Sequence, residues 1–286
     1  LCFRPKPVQW LLSGDFNQYL PFFNSFRGES VKKSFEHSGL LHHMAGGNRV
    51  TLTECMRSEQ ILFDYYASLI EGGSRHEAPL EQTVLECRVL FHSGKAVGFI
   101  PGTLLAPLNF VVSHKRRVVL NQLCNEADMA GKAGVVRFLL AEYSSVAEVH
   151  DDHKKEQANG PQDAYFWPGA KVVARNTTKA LCNGEEYRIL EIKEKSVLLE
   201  PWALLPQLPT EEGESVEIEE QNGIELPNAA FFRSMRLPYA ICYAGIQGVT
   251  VEGLCALHDT SHPHFDRRML FVALSRARSH ENVIVN

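Results

Sequence analysis

Residues 109–131, NFVVSHKRRVVLNQLCNEADMAG, constrain the fold more than any other stretch of the chain. Asn109 to Ser113 is a short β-type run. A basic turn, His114-Lys115-Arg116-Arg117, follows it, and the residues behind form an amphipathic helix closed by Gly131. Strand, turn and helix in that order make one βα unit of a parallel sheet. The same alternation recurs. Pro7 to Leu12 and Arg49 to Glu54 read as buried strands. Ile61, Leu62, Tyr65, Tyr66, Leu69 and Ile70 fall at helical spacing and stop at Gly72-Gly73. Towards the carboxyl end, 237–244 and 254–259 read as strands, 267–277 as a helix and 282–285 as a last strand. The fold class is therefore α/β.

One stretch breaks the alternation. Segments 171–176, 187–192 and 196–200 are short strands, with Asn183-Gly184 as a turn signal between the first two. An acidic, proline-containing run from Pro206 to Glu220 leads to a further strand at 224–227, and the polar stretch 150–163 precedes the module as a surface loop. A small antiparallel β module is thus inserted into an α/β domain. The expected division is 1–54, then 55–168 together with 236–286, with 169–235 as the insertion.

Composition removes several function classes. With 44% hydrophobic and 22% charged residues, the 286-residue chain is an ordinary globular one. Its net charge of -5 excludes a polybasic nucleic-acid binder, so any such contact is a local patch. The seven cysteines show no C-x-x-C pair, which favours a reducing intracellular compartment over a disulfide framework or a structural zinc site. No apolar run reaches the ~18 residues that a membrane span requires, so no membrane partner is expected. The chain opens on Leu1, and the expectation is that it begins inside a longer protein.

Three constellations can carry chemistry. In 14-GDFNQ-18 a glycine turn follows a strand, and the polar side chains sit at the strand's carboxyl end, where open α/β sheets bind ligands. The neutral amide of Gln18 can hold a phosphate oxygen or a water without adding charge. In 270-LFVALSRARS-279 the apolar residues pack one helical face, while Arg276 and Arg278, two apart, diverge. One can enter a cleft, where its planar fork suits a phosphate, and the other is left to solvent. In 242-CYAGIQGVTVEG-253 a strand ends in a small-residue turn, and Gln247, Gly248 and Thr250 offer backbone access and hydrogen bonds to a polyanion. Each has a plain reading as well: a solvated loop for the first and third, surface arginines for the second.

Taken together, these motifs resemble those of superfamily 1 helicases, most closely the petite-integration-frequency (Pif) type, with the RecD/TraA type as a cousin. The correspondence runs through Gly14-Asp15-Phe16-Asn17-Gln18 with Leu20-Pro21, Arg57 in 52-LTECMRSEQ-60, 244-AGIQGVT-250 and 272-VALSRAR-278. The resemblance implies that 1–54 is the end of a first RecA-like core and that 55–168 with 236–286 is a second RecA-like P-loop NTPase core. Residues 169–235 would then be the family's small β-barrel-like insertion. It further implies that Gln18, Arg57 and Arg276 are catalytic and meet the γ-phosphate of ATP. Gly14, Asp15, Gln247 and Gly248 would help bind the nucleotide. Thr250, with Lys115 and Arg116, would touch nucleic acid. The implied cofactors are ATP and Mg2+, and the implied partners are single-stranded DNA, DNA duplex junctions and an N-terminal RecA-like core.

The sequence departs from that pattern in three places. Ala244, Gly245 and Ile246 stand where the family carries His-Lys-Ser, Tyr19 is an extra residue before Leu20, and no G-x-x-x-x-G-K-[ST] loop is present. Gln18 is thus expected to await a nucleotide whose main cradle lies in another part of the protein. The rival reading is a non-catalytic nucleic-acid-binding or scaffold protein that kept the fold. A third, a metal-dependent hydrolase, rests on 258-HDTSHPHFD-266; its proline and irregular spacing argue against it, and no metal ligands are assigned. Cys55, Cys242 and Cys255 read as small core residues.

Overall fold

A computed structural model describes residues 25–26, 29–30, 38–48, 50, 55–91, 98–100, 103–143, 160–202 and 223–286. The expected strands at 7–12 and 49–54, the surface loop before 160 and the acidic run at 206–220 lie outside the described residues, apart from Val50. The chain packs as two units. One comprises 1–95, 243–254 and 259–286; the other comprises 96–242 and 255–258. Among the described residues no helix is long and apolar enough to cross a membrane.

The first unit is mainly helical where it is described. The helix Gln60–Ala67 buries Leu62, Tyr65 and Tyr66 and is followed by Gly72 at φ 83°. The expected face holds at Leu62, Tyr65 and Tyr66; Ile61 points to solvent at 62% exposure because the buried stripe is centred one position later, and Leu69 and Ile70 lie beyond the helix end. A second helix, Leu80–Leu90, escaped the sequence reading. It buries Thr83, Val84 and Cys87 while leaving Leu85, Val89 and Leu90 exposed, so its apolar periodicity is blurred. Tyr65 joins the two helices, donating its hydroxyl to the Thr83 carbonyl at 2.9 Å and packing edge-on to Phe91. The helix Arg267–Leu274 is shorter than expected at its carboxyl end and buries all five residues Leu270 to Leu274.

The second unit contains the predicted βα unit. Strand Leu108–Val111 pairs in parallel with Ala240–Cys242 on one side and Cys255–Leu257 on the other. The helix His114–Met129 follows, with Ser113 as its N-cap. Two asparagines one helical turn apart fasten this helix to its neighbours. Asn121 donates Nδ2 to the Ala240 carbonyl at 3.2 Å, and its Oδ1 accepts the Ala240 N–H at 2.9 Å. Asn125 repeats the pattern on Tyr165, at 2.9 and 2.8 Å. Each side-chain amide thus imitates a strand partner. A third buried amide, Asn109, bonds to Ala106 and Tyr239, and His258 donates Nε2 to its Oδ1 at 2.9 Å. Burial, with Arg116 adding repulsion, pulls the His258 pKa down to about 4, so the ring is neutral at pH 7.

The antiparallel module is a curled five-stranded sheet. Its order is Ile224–Pro227, Ser196–Pro201, Glu186–Ile192, Lys171–Ala174, Met235–Arg236. The Asn183-Gly184 turn is present, with Gly184 at φ 87°, a conformation that favours glycine. The irregularity at Leu198/Leu199 is a bulge that bends the sheet. Its core draws in Phe138 and Phe166 as well as Phe231 and Phe232 from the helix Asn228–Ser234, with Phe166 and Phe231 rings 5.0 Å apart. That helix and the hairpin of Val136–Phe138 with Ala164–Phe166 were not legible in the sequence.

Replacing Asn121 with alanine orphans both the N–H and the carbonyl of Ala240 in a buried position. Asn121→Ala should lower stability by about 2–4 kcal/mol, read as a shift of the urea midpoint with unchanged slope.

Candidate nucleotide and nucleic-acid site

Two segments distant in sequence, 55–60 and 275–280, run side by side in the first unit. The Glu59 N–H donates to the Arg278 carbonyl at 2.8 Å, and the Ser58 hydroxyl donates to the Ala277 carbonyl at 2.8 Å. The Glu59 carboxylate takes the His280 N–H at 2.6 Å, the Ser279 hydroxyl at 3.1 Å and the His280 Nδ1–H. Neither Ser58 nor Glu59 was singled out by sequence. The only signal was their place beside Arg57.

This lacing brings the two predicted arginines to one residue. Arg57 donates Nη1 to the Ser275 carbonyl at 3.2 Å, and Arg276 donates Nη2 to the Ser275 hydroxyl at 2.9 Å. Arg276 also donates Nε to the Val272 carbonyl at 3.1 Å. The helix ends at Leu274, leaving late carbonyls without helical partners, and a cation folded back over them is favoured by both hydrogen bonding and the helix dipole. Arg276 is accordingly 2% exposed. Arg278 diverges as the spacing predicts and pairs with exposed Glu252 at 2.7 Å.

The loop 247–250 is tied to the same arginine. The Val251 N–H donates to the Arg276 carbonyl at 2.9 Å, and Val251 bridges Ala277 in parallel. Residues Tyr243–Ile246 form a 3₁₀ turn, anchored by Tyr243 against Phe265 at 5.3 Å. Gln247, Gly248 and Thr250 are exposed. Gly248 sits at φ 81°, where any other side chain strains the backbone, so the loop keeps its shape through this glycine.

Arg57, Arg276, Gln247, Gly248 and Thr250 therefore belong to one described unit. Lys115, exposed, and Arg116, half-buried, lie in the first turn of His114–Met129 in the other. Gly14, Asp15 and Gln18 lie outside the described residues. The guanidinium and loop donors suit a polyphosphate, whereas no cluster of three His, Cys, Asp or Glu among the described residues fits a magnesium ion. In 258–266, Asp266 caps the following helix by accepting the Met269 N–H at 2.8 Å, and His258 is committed to Asn109. Cys242 and Cys255 are buried; Cys55 is half-buried outside any strand and meets the Tyr66 hydroxyl at 3.1 Å.

Burial alone would raise the Glu59 pKa, but the hydrogen bonds from His280 and Ser279 outweigh it, and the net shift is downward. A carboxylate depressed on folding contributes stability above its unfolded value, near 4.5, and loses it as pH falls through its folded value. Glu59→Gln should therefore be less stable than the parent at pH 7, and the gap should close as pH falls below 4.5. Urea midpoints measured across that window check it.

No family model and no curated protein matches the chain. Solved structures do. The crystal structure of Pif1 helicase from Candida albicans matches at 17% identity with a TM-score of 0.55, covering 95% of this chain and 63% of that one. Bacteroides Pif1 bound to ssDNA matches at 14% identity and 0.48, covering 82% and 51%. Bacteroides Pif1 in complex with ADP-AlF3 and ssDNA matches at 14% and 0.47, covering 83% and 51%. The first likeness establishes the fold. This chain has the architecture of the carboxyl-terminal portion of a Pif1-type, RecA-like helicase, and it spans 63% of the length of the Candida chain.

Proposed function

We propose that this chain is the carboxyl-terminal part of an ATP-dependent DNA helicase, one that couples ATP hydrolysis to translocation on single-stranded DNA and to duplex unwinding. The observation that carries the reading is the meeting of Arg57 and Arg276 on Ser275, within a helicase-like fold. Two guanidinium groups held on one turn form a donor pair for the γ-phosphate, and arginine there stabilises the charge that develops in phosphoryl transfer. Gly14, Asp15 and Gln18 are assigned to the same phosphate by resemblance, with the magnesium ion and the main phosphate cradle supplied by an N-terminal RecA-like core.

Arg276 is turned inward here, so reaching a nucleotide requires its guanidinium to exchange the Val272 and Ser275 acceptors for phosphate oxygens. Such an exchange would be felt at once by the loop, because the Arg276 carbonyl holds the Val251 N–H. One hydrogen bond thus separates the residue that answers to ATP from Thr250, assigned to the nucleic-acid track together with Lys115 and Arg116. In a complete protein that link would convert closure on ATP into movement along a strand, with junctions of duplex and single strand as the substrate.

A second reading, a nucleic-acid-binding or scaffold protein without motor activity, is favoured by one observation. Ile246 is fully buried where the related motif carries a hydroxyl, and no cation precedes Gln247. The two readings part in the full-length protein. Arg276→Ala should lower ATP turnover by about 10³-fold or more while leaving oligonucleotide affinity nearly unchanged and the thermal melt cooperative. Unchanged turnover rejects the arginine role, and absence of turnover in the parent protein favours the scaffold. The 286-residue chain alone should not hydrolyse ATP.

A further inference from the structure

Three arginines gather in the second unit without a carboxylate among the described residues. Arg117 lies in the first turns of the helix His114–Met129, Arg175 follows the strand Lys171–Ala174, and Arg236 ends the strand Met235–Arg236. Burial pulls the Arg117 pKa down, and repulsion from Arg175 adds to it. Burial does the same to Arg236, with repulsion from Arg117 and Arg175. None of the three makes an ion pair among the described residues. Arg117 is 3% exposed, and its Nε and Nη2 have no hydrogen-bond partner among the described residues. A buried guanidinium without a partner is destabilising, the more so with like charges beside it. Surface arginines avoid this penalty by reaching water; Arg117 is held below the surface by its place on the helix.

The orphaned nitrogens border a defined space. Arg117 and Arg236 line a cavity of about 10 Å³, together with Gln162, Phe166, Phe232 and Leu237. That volume holds about one oxygen-sized group. Arg117 stands in the first turn of a 16-residue helix, whose dipole adds positive potential at that end. The rest of the described lining is largely apolar, with Gln162 as a neutral polar side chain.

We propose that Arg117 and Arg236, with the charge of Arg175 beside them, form a phosphate-binding subsite that takes one non-bridging oxygen of a single-stranded nucleic-acid backbone into this cavity. The identity of the ligand rests on the nucleic-acid reading above; the need for an oxyanion rests on the unpartnered guanidinium alone. A phosphodiester fits better than a whole nucleotide, since only a single oxygen can enter and the ester arms must stay outside. Free phosphate presents the same oxygen. The competing occupant is one water molecule bridging Arg117 to the Oε1 of Gln162, which is also buried without a partner.

The experiment uses the intact 286-residue chain, its Arg117→Met variant and Arg175→Gln, which removes the neighbouring half-buried charge. Thermal midpoints are read in inorganic phosphate against sodium chloride at matched ionic strength, and oligonucleotide affinity is read as a function of salt. In the parent, phosphate should raise the midpoint beyond the chloride control, because a ligand bound to the folded state alone stabilises it. In Arg117→Met that response should vanish, while the variant folds at least as stably as the parent in chloride. The salt slope for oligonucleotide binding should fall by roughly one unit in Arg117→Met and in Arg175→Gln. No phosphate response in the parent means that water fills the cavity and overturns the proposal. A phosphate response with an unchanged oligonucleotide slope overturns its nucleic-acid source, while leaving the helicase reading to its own ATPase test.

Discussion

The site in the first unit depends on one carboxylate. Glu59 receives three hydrogen bonds from Ser279 and His280, while its own N–H and the Ser58 hydroxyl close on the carbonyls of Arg278 and Ala277. No strand pairing joins these segments; side chains and isolated backbone groups do it. Arg57 and Ser275 are 218 positions apart, and the clasp registers them together with the edge-on packing of Tyr66 on Phe271. Closing so long a loop has an entropic cost that only several concerted contacts offset. Charge-assisted hydrogen bonds to one acceptor are well suited to this, being about twice as strong as neutral ones.

The second unit solves a related problem with amides. Asn109, Asn121 and Asn125 bind the backbone of neighbouring segments with both ends of the side chain, and they carry no charge into the core. An amide can replace a missing strand edge because it offers one donor and one acceptor in nearly the spacing of a peptide group. A buried charge cannot do the same at neutral cost. Arg117 carries a guanidinium into that unit, 3% exposed, and burial without a partner is costly.

The alternation of strand and helix could be read from residues 108–131 and 254–285, because there the buried faces are apolar and the periods differ cleanly. The module between Lys171 and Pro227 was legible through its short strands and the Asn183-Gly184 turn. The helix Leu80–Leu90 was not, since it buries Thr83 and Cys87 and exposes Leu85 and Val89. At the site, VALSRAR named Arg276 and its spacing foretold that Arg278 would diverge. The partners Ser58, Glu59 and Ser275 carried no pattern, because hydrogen bonds between distant segments leave no period in a sequence. Arg117 stood in the basic turn that the sequence marks, but its burial carried no pattern for a similar reason. An arginine in a basic helix start ordinarily reaches solvent, and only the three-dimensional crowding of Arg175 and Arg236 tells otherwise.

The loop after Cys242 separates shape from chemistry. Gly248 keeps its left-handed conformation, Tyr243 and Ile246 keep the turn anchored, and Val251 keeps its bond to the arginine strand. A backbone hydrogen bond therefore joins Arg276 to Val251, the residue that follows Thr250. What is absent is a cation and a hydroxyl just before Gln247, replaced by Gly245 and Ile246. Ile246 is buried, so the exchange of a hydroxyl for an alkyl chain adds anchoring to the turn rather than removing it. Buried Ile246 holds the turn by apolar packing, so the shape of the loop does not depend on a charged or hydroxyl side chain ahead of Gln247.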